Sequence, residues 1–271
     1  MNDDGVIDVF DLALLKRQIL KKNSEPAVTQ KQETTTDPTD PVTEPVRREG
    51  YWYNKADVSW IDASKPMVAF AFDDGPVAGG DNSSAGRIQT ALSKNNAHAT
   101  FFYWGNRIAG NESEIKRAHS LGFEIANHTW THTDLRELDA NGIKNEIGQC
   151  AAKLTEITGE TDFLLRPPYL GVNATVQANA GTPLINCGFD SGDWNQATTQ
   201  QMIDKFMNGA RDGSLNGKVI LMHETYDSTA SAVEYLVPAL QQQGYQIVSV
   251  SEMFKAKGVD LKNGQVYNGL S

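Results

Sequence analysis

Cysteine, long apolar runs and excess positive charge are scarce in this sequence. It contains only two cysteines, Cys150 and Cys187, so several disulfides cannot hold the fold together, although the sequence leaves open whether these two pair. No run approaches the roughly 18–20 apolar residues that cross a membrane. The formal charge of −10 argues against nucleic acid, because phosphates repel an acidic surface. We therefore expect neither a membrane nor a nucleic acid as a partner.

The sequence divides into three segments of different composition. Residues 1–22 combine an acidic loop with leucines and isoleucines at helical spacing, which predicts a short helix. Residues 23–46 are rich in Thr, Pro, Glu and Asp and almost free of large apolar side chains, so they predict a disordered linker. Over residues 47–271, apolar runs alternate with helical patterns, and this alternation is typical of an α/β fold with a parallel sheet or barrel.

The first segment resembles the second half of a dockerin, the calcium-binding module that docks cellulosomal enzymes onto the cohesin domains of a scaffold protein. Its residues Asn2, Asp4, Gly5, Ile7 and Asp11 match later positions of an EF-hand-type loop. The first ligand position would fall before Met1, so we expect calcium and cohesin to bind only a complete dockerin; an acidic tail is the alternative. The resemblance implies a secreted, extracellular, cellulosome-associated protein. No signal peptide is visible, but the sequence begins inside a motif, which leaves room for a leader upstream.

Five apolar runs in the third segment each end in polar residues of types that serve in catalysis. The runs are MVAFAF, GFEIAN, FLL, LINCGF and KVILM. The C-terminal ends of parallel strands share one face of a barrel, and active sites are built there. We therefore expect one pocket to gather polar residues that follow the five runs: Asp73 and Asp74, His128 and His132, Arg166, Asp193, and His223.

The segment HTWTH at residues 128–132 is the strongest signal for a metal. His128 and His132 are four residues apart, which on a helical turn puts both imidazoles on one face, where they can bind one ion. Asp74 supplies a carboxylate as the third ligand. Two histidines and a carboxylate leave positions open for water and substrate, as in catalytic sites. This set predicts one divalent ion, zinc or cobalt, with nickel as an alternative.

The segments FDDGP, HTWTH, RPPY, DSGDW and LMH, in this order and spacing, resemble the five motifs of carbohydrate esterase family 4, the polysaccharide deacetylases. The resemblance covers about residues 65–255 and includes ATFF at residues 99–102. It implies a distorted (β/α) barrel of about seven parallel strands. The sequence departs from the family pattern at Ala71, Leu170 and Glu224, and none of these departures removes a catalytic group.

The resemblance also implies a role for each motif residue. An ion held by the three metal ligands would activate water for attack on an acetyl carbonyl. Asp73 would be the general base, held ionised and oriented by Arg166. His223 would be the general acid, with Asp193 favouring its protonated form. The backbone N–H of Tyr169 would stabilise the oxyanion.

The substrate-binding residues that the resemblance implies are Tyr169, Trp194 and Leu221, the last two as walls of a pocket for the acetyl methyl group. The dockerin resemblance points to plant cell walls, so the expected reaction is removal of acetyl groups from O-acetyl xylan. An N-deacetylase of chitin oligosaccharides or peptidoglycan is the alternative with the same chemistry. A non-catalytic carbohydrate-binding module is the alternative from another class, and the complete catalytic set argues against it.

Overall fold

A computed structural model describes residues 47–270; the predicted dockerin fragment and linker, residues 1–22 and 23–46, lie outside the described residues. The strands are β1 (Met67–Ala69), β2 (Ala71–Gly75), β3 (Thr100–Tyr103), β4 (Glu124–Asn127), β5 (Leu184–Ile185), β6 (Phe189–Asp190), β7 (Ile220–His223), β8 (Gln246–Val248) and β9 (Val266–Tyr267). The helices are α1 (Ser84–Lys94), α2 (Glu112–Ser120), α3 (Ala140–Thr158), α4 (Ala174–Asn179), α5 (Thr199–Asp212), α6 (Asp227–Gln242) and α7 (Val250–Ala256). Short 3₁₀ turns cover Gly80–Asn82, Gly105–Arg107, Leu135–Glu137, Pro168–Leu170 and Asp193–Asn195.

The strands form a parallel α/β fold. Five of them pair in the order β4-β3-β2-β7-β6, and two further pairs are β1-β8 and β5-β9, every one of them parallel. Single bridges extend the pairing, because Ala69 pairs with Val219 and Leu165 pairs with both Asn127 and Leu184. This order is consistent with the predicted distorted barrel.

Three of the five apolar runs differ from the continuous strands that the sequence predicts. MVAFAF divides at Phe70 into β1, which pairs with β8, and β2, which pairs with β3 and β7. FLL forms only the single bridges at Leu165, and LINCGF divides into β5 and β6. A division lets successive parts of one run pair with different neighbours, as closing a sheet around a core requires.

The core explains why these runs are apolar throughout. Parallel strands covered on both faces are buried on both sides, so they read as continuous rather than alternating apolar sequence. The side chains of Met67 to Phe72 are all fully buried, and the rings of Phe72 and Phe101 stack with their centroids 5.2 Å apart. The strand ends that follow are therefore carried on a rigid support.

Local capping defines several helix ends. Thr198 and Gln201 form a capping box at the start of α5, and Ser249 and Glu252 form another at the start of α7. Gly213 takes a left-handed φ of 80° where α5 ends. Within residues 47–270, no helix combines the length and apolar character that crossing a membrane requires.

The two cysteines are separate thiols in the structure. Cys150 is buried on α3, where its Sγ–H donates to the carbonyl of Tyr103 over 3.4 Å, and Cys187 is half-buried. Burial raises the pKa of Cys150 to about 12, so this thiol stays protonated and unreactive near neutral pH.

Candidate active site

Adjacent strands β2 and β7 bring one acid and one histidine side by side. Asp73 on β2 is the register partner of His223 on β7, and Asp74 follows Asp73 directly. Asp74 takes a left-handed φ of 68° at an irregularity of the β2–β3 register, which shifts between Phe72 and Gly75. The two neighbouring aspartates therefore have different backbone conformations.

The segment that carries His128 and His132 is a loop, so the predicted helical turn is wrong. Thr129 and His132 have left-handed φ values of 68° and 62°. The buried carboxylate of Glu146 on α3 accepts hydrogen bonds from the backbone N–H groups of Trp130 (3.1 Å) and Thr131 (2.8 Å). These bonds stabilise a bend that still brings the two imidazoles together, with ring centroids 4.9 Å apart.

Asp74, His128 and His132 form a cluster that could hold one ion. The Oδ1 atom of Asp74 lies 3.5 Å from Nε2 of His128 and 3.4 Å from Nε2 of His132, and one ligand atom from each residue lies within 4.8 Å of the others. The Nδ1–H of His128 donates to the carbonyl of Arg166 over 2.7 Å, which leaves Nε2 to face the cluster.

The chemistry of this cluster fits a cation. Within residues 47–270, no group donates a hydrogen bond to the buried Oδ1 of Asp74, and a buried carboxylate oxygen without a donor is costly unless a positive charge compensates it. Burial raises the pKa of Asp74, but the imidazoles of His128 and His132 lower it by more, to about 2. Burial and the positive charges of its neighbours lower the pKa of His132. Near neutral pH the cluster thus offers an ionised carboxylate and a neutral imidazole.

Asp73 is held by a buried guanidinium. Nη1 of Arg166 donates to Oδ1 of Asp73 over 2.8 Å, and both side chains are almost fully buried. The remaining donors of Arg166 reach backbone carbonyls, including those of Ile185 (3.2 Å) and Ile220 (3.3 Å). Oδ2 of Asp73 faces the metal cluster, 3.9 Å from Nε2 of His128. One oxygen of Asp73 is thus fixed, and the other points at the cluster.

His223 is oriented by Asp193 at two points. Oδ1 of Asp193 accepts the Nδ1–H of the imidazole at 2.9 Å, and Oδ2 accepts the backbone N–H of His223 at 2.7 Å. Thr229 donates its hydroxyl to the same Oδ2 over 2.8 Å. Burial lowers the pKa of His223, but the Asp193 hydrogen bond, together with the charges of Asp73, Asp193 and Asp74, raises it above its ordinary value. His223 therefore keeps its proton to higher pH than a free histidine.

The three residues expected to contact substrate surround this centre. Tyr169 is exposed, with a left-handed φ of 56° and its ring centroid 5.0 Å from that of His132. Trp194 is exposed, and its Nε1–H donates to the carboxylate of Asp190. Leu221 is the register partner of Asp190 and is mostly buried. Both residues thus neighbour Asp190, and the acetyl pocket expected between them stays a prediction.

Two supporting residues escaped the sequence analysis. Arg107 donates through Nη1 to the backbone carbonyl of Asp74 over 2.7 Å, and its guanidinium lies over the ring of Trp104, 4.3 Å from the centroid. Trp104 in turn packs against His132, with centroids 4.7 Å apart. Glu146 supports the loop after His128. Arg107 and Glu146 lie outside the five predicted strand ends, and no local pattern in the sequence distinguishes them from surface charges.

The chain is similar to enzymes that remove acetyl groups from polysaccharides. A profile of the family described as polysaccharide deacetylase matches residues 61–185. A bifunctional xylanase/deacetylase of Pseudobutyrivibrio xylanivorans is 33% identical over 201 residues, which cover 73% of this chain and 32% of that protein. A peptidoglycan-N-acetylmuramic acid deacetylase of Bacillus subtilis is 30% identical over 197 residues, which cover 73% of this chain and 40% of that protein. The chain thus spans less than half the length of these two relatives.

A solved structure extends the similarity to the fold. The family 4 acetyl xylan esterase from Clostridium thermocellum, in complex with a cobalt ion, superposes with a TM-score of 0.67 and 30% identity. The match covers 75% of this chain and 98% of that one.

Proposed function

The chain belongs to carbohydrate esterase family 4, the polysaccharide deacetylases, and from this premise we propose that it removes acetyl groups from O-acetyl xylan with one divalent metal ion. The observation that carries the proposal is the arrangement of two buried pairs around one cluster. Asp73 and His223 are register partners on adjacent strands, each is paired with a second residue (Arg166 and Asp193, respectively), and both lie near the three proposed metal ligands.

Asp74, His128 and His132 would hold the ion, because their ligand atoms converge and Oδ1 of Asp74 accepts no hydrogen bond from the part of the chain that the structure describes. When bound, a divalent ion of this kind makes a water nucleophilic near neutral pH and polarises a carbonyl. The ligand set suits zinc or cobalt, with nickel as an alternative. The cobalt in the similar esterase supports the same choice.

Asp73 acts as the general base through Oδ2. Its Oδ1 is bound to Arg166, so Oδ2 is the oxygen that takes a proton from the attacking water. The permanent positive charge of Arg166 keeps the carboxylate oriented, and the short backbone contacts of the guanidinium prevent it from swinging away. Tyr169 contributes its backbone N–H to the oxyanion that forms as the water adds.

His223 acts as the general acid through Nε2. Because Nδ1–H is donated to Asp193, Nε2 is the nitrogen that gives its proton to the departing sugar oxygen. The acetyl carbon–oxygen bond breaks as this proton arrives, and the products are acetate and a free sugar hydroxyl. The proton taken by Asp73 balances the one given by His223.

The choice of xylan is the part of the proposal that the catalytic residues leave open. The xylanase/deacetylase and the acetyl xylan esterase among the similar proteins favour it. An ester carbonyl is also more electrophilic than an amide, and its leaving oxygen needs less help from His223 than an amine does. The similar peptidoglycan deacetylase favours the alternative, an N-deacetylase.

The proposal extends to the organisation of the whole chain. Residues 47–271 would be the catalytic domain, residues 23–46 its linker, and residues 1–22 part of a dockerin that in complete form binds calcium and cohesin. The support is the dockerin resemblance of residues 1–22. On this basis the enzyme would work outside the cell, on a cellulosome.

Substrate choice is tested by comparing kcat/KM on acetylated xylan and on N-acetylglucosamine oligomers at the same metal loading. We expect the higher value on acetylated xylan. A clear preference for the N-acetyl oligomer would overturn the xylan assignment and leave the deacetylase mechanism intact. Turnover of neither substrate would favour a non-catalytic carbohydrate-binding module.

A further inference from the structure

Tyr226 is an exposed aromatic residue beside the general acid, outside the five motifs. It lies three residues after His223, and its ring centroid is 5.7 Å from that of His223 at an interplanar angle of 70°. Its relative exposure of 38% is high for a tyrosine that packs edge to face on a mostly buried histidine. More than a third of its surface is therefore exposed, next to His223.

The backbone of Tyr226 is fixed by the first turn of α6. Its carbonyl accepts the N–H of Ala230 over 3.1 Å. In the same turn, Thr229 donates its hydroxyl to Asp193, the residue that also holds His223. The backbone that carries the ring is thus anchored in the same helical turn that contacts Asp193.

The side of the cleft that Tyr226 occupies is the side of the leaving group. Because Nδ1 of His223 is engaged by Asp193, proton transfer goes from Nε2 to the sugar oxygen. The sugar must therefore approach His223, whereas the acetyl carbonyl points towards the metal cluster. Burial and the charges of Asp193 and Asp74 raise the pKa of Tyr226, consistent with a protonated phenol close to the centre.

We propose that Tyr226 forms a binding surface for the sugar ring that carries the acetyl group or for its neighbour in the chain. This inference rests on the proposed function. The apolar C–H face of a pyranose stacks on an exposed aromatic ring, and a tyrosine gives contact area at low entropic cost because its side chain has only two rotatable bonds. Tyr226 would thus bind the glycan and not the acetyl group itself.

The test compares Tyr226→Ala and Tyr226→Phe with wild type on a polysaccharide and on 4-nitrophenyl acetate, which has no sugar. We expect Tyr226→Ala to raise KM for acetylated xylan about five- to tenfold, the size of one aromatic contact. Tyr226→Ala should lose at least several-fold less kcat/KM on the aryl acetate than on acetylated xylan. Tyr226→Phe keeps the ring and should restore KM to within about twofold of wild type.

Tyr235→Ala is the matched control, because Tyr235 is an exposed tyrosine later on the same helix, α6. It should leave KM for the polysaccharide unchanged. If Tyr226→Ala lost the same fraction of kcat/KM on acetylated xylan and on 4-nitrophenyl acetate, the inference would be overturned. Tyr226 would then be a residue that positions His223. No change on either substrate would also overturn it.

A binding measurement separates failure of this inference from failure of the proposed function. Calorimetry with xylohexaose and with the N-acetylglucosamine hexamer needs no turnover. If wild type deacetylates neither glycan, the proposed function fails, and weaker hexamer binding by Tyr226→Ala would still support the inference. Equal binding by wild type and Tyr226→Ala would contradict it.

Discussion

Three aspartates of the site have different partners, so chemically identical side chains lie in different environments. Asp73 is bound to a permanent cation, Arg166, and Asp193 is bound to an imidazole that it helps to protonate. Asp74 presents to two imidazoles a buried oxygen that has no hydrogen-bond donor among the described residues. The environment of Asp73 suits a general base, that of Asp193 suits a residue that supports the general acid, and that of Asp74 suits a metal ligand.

The roles of Asp73 and His132 can be separated by measuring metal affinity and turnover together. We expect Asp73→Asn to keep most of its zinc affinity in calorimetry, because Asp73 is outside the converging ligand set. Its turnover should fall on the order of 10²–10⁴-fold, the usual contribution of a general base. His132→Ala should lose both properties. Absence of zinc binding in Asp73→Asn would require the two aspartate roles to be exchanged.

The effect of Asp193 on His223 predicts a change in the pH profile. The raised pKa of His223 keeps the acid protonated above its ordinary pKa, so activity falls only as the pH rises through that higher value. The Asp193→Asn substitution removes the negative charge that raises the pKa of His223. The alkaline fall of kcat/KM should therefore move to lower pH. We also expect kcat to fall about 10²-fold or more.

Asp190→Asn is the control for this shift, because Asp190 bonds to Trp194 and not to His223. In Asp190→Asn, the alkaline fall of kcat/KM should occur at the same pH as in wild type, even if substrate binding changes. An unchanged alkaline limb in Asp193→Asn would contradict the role of His223 as the acid.

At the scale of elements, the junction between β2 and β7 explains a glycine in the active-site turn. A Cβ on Gly75 would come within 1.7 Å of Oε1 of Glu224 and 2.8 Å of Cε1 of Tyr103. Glu224 is buried, and its backbone N–H donates to the carbonyl of Asp73. Only glycine at residue 75 therefore allows the ends of β2 and β7 to pack closely next to Asp73 and Asp74.

This junction predicts that Gly75→Ala is destabilising. The added Cβ would overpack the carboxylate of Glu224 and the ring of Tyr103. We expect this to lower the free energy of unfolding by about 1–3 kcal/mol, measured by urea denaturation. Gly148→Ala is the matched control, because Gly148 is exposed within α3 and a Cβ there meets no atom within 4 Å. It should stabilise the protein by about 0.5–1 kcal/mol. Equal effects of both substitutions would contradict the packing described at Gly75.

The apolar runs predict which residues stand at strand ends, because buried parallel strands read as continuous apolar sequence. Asp73, His128 and His223 were therefore predictable as neighbours. The loop after His128 was not, because its N–H groups bond to Glu146, whose position depends on how α3 packs. The division of MVAFAF at Phe70 likewise depends on pairing with β8, far along the chain.

Atomic roles within the site were also beyond prediction from the sequence. The motif predicts that Arg166 pairs with Asp73, but not that Oδ1 is the bound oxygen. The pairing joins residues 93 positions apart and is set by three backbone carbonyls around the guanidinium. Tertiary packing, rather than local pattern, therefore decides which oxygen is left for proton transfer.

At the scale of the whole molecule, the contacts of the described body begin just beyond the predicted linker. The N–H of Trp52 donates to the carbonyl of Leu261 over 2.8 Å, and the side chain of Asn54 donates to the carbonyl of Ser251 over 2.7 Å. We expect deletion of residues 1–46 to leave activity on small acetyl esters within about twofold of wild type, because these contacts remain.

Extending the deletion to residue 54 provides the control, because it removes both contacts. That variant should unfold at a lower temperature than the shorter deletion. A large loss of ester activity on removal of residues 1–46 alone would show that the catalytic domain needs more of the chain than residues 47–271.

Acetate release from acetylated xylan, followed through removal and return of the metal, tests the central claim most directly. Asp74, His128 and His132 converge on a site where no described residue donates a hydrogen bond to the buried Oδ1 of Asp74, and in the proposed mechanism the attacking water would depend on an ion held there. We expect chelation to reduce acetate release to background and added zinc or cobalt to restore it. Full activity after exhaustive metal removal would contradict the claim.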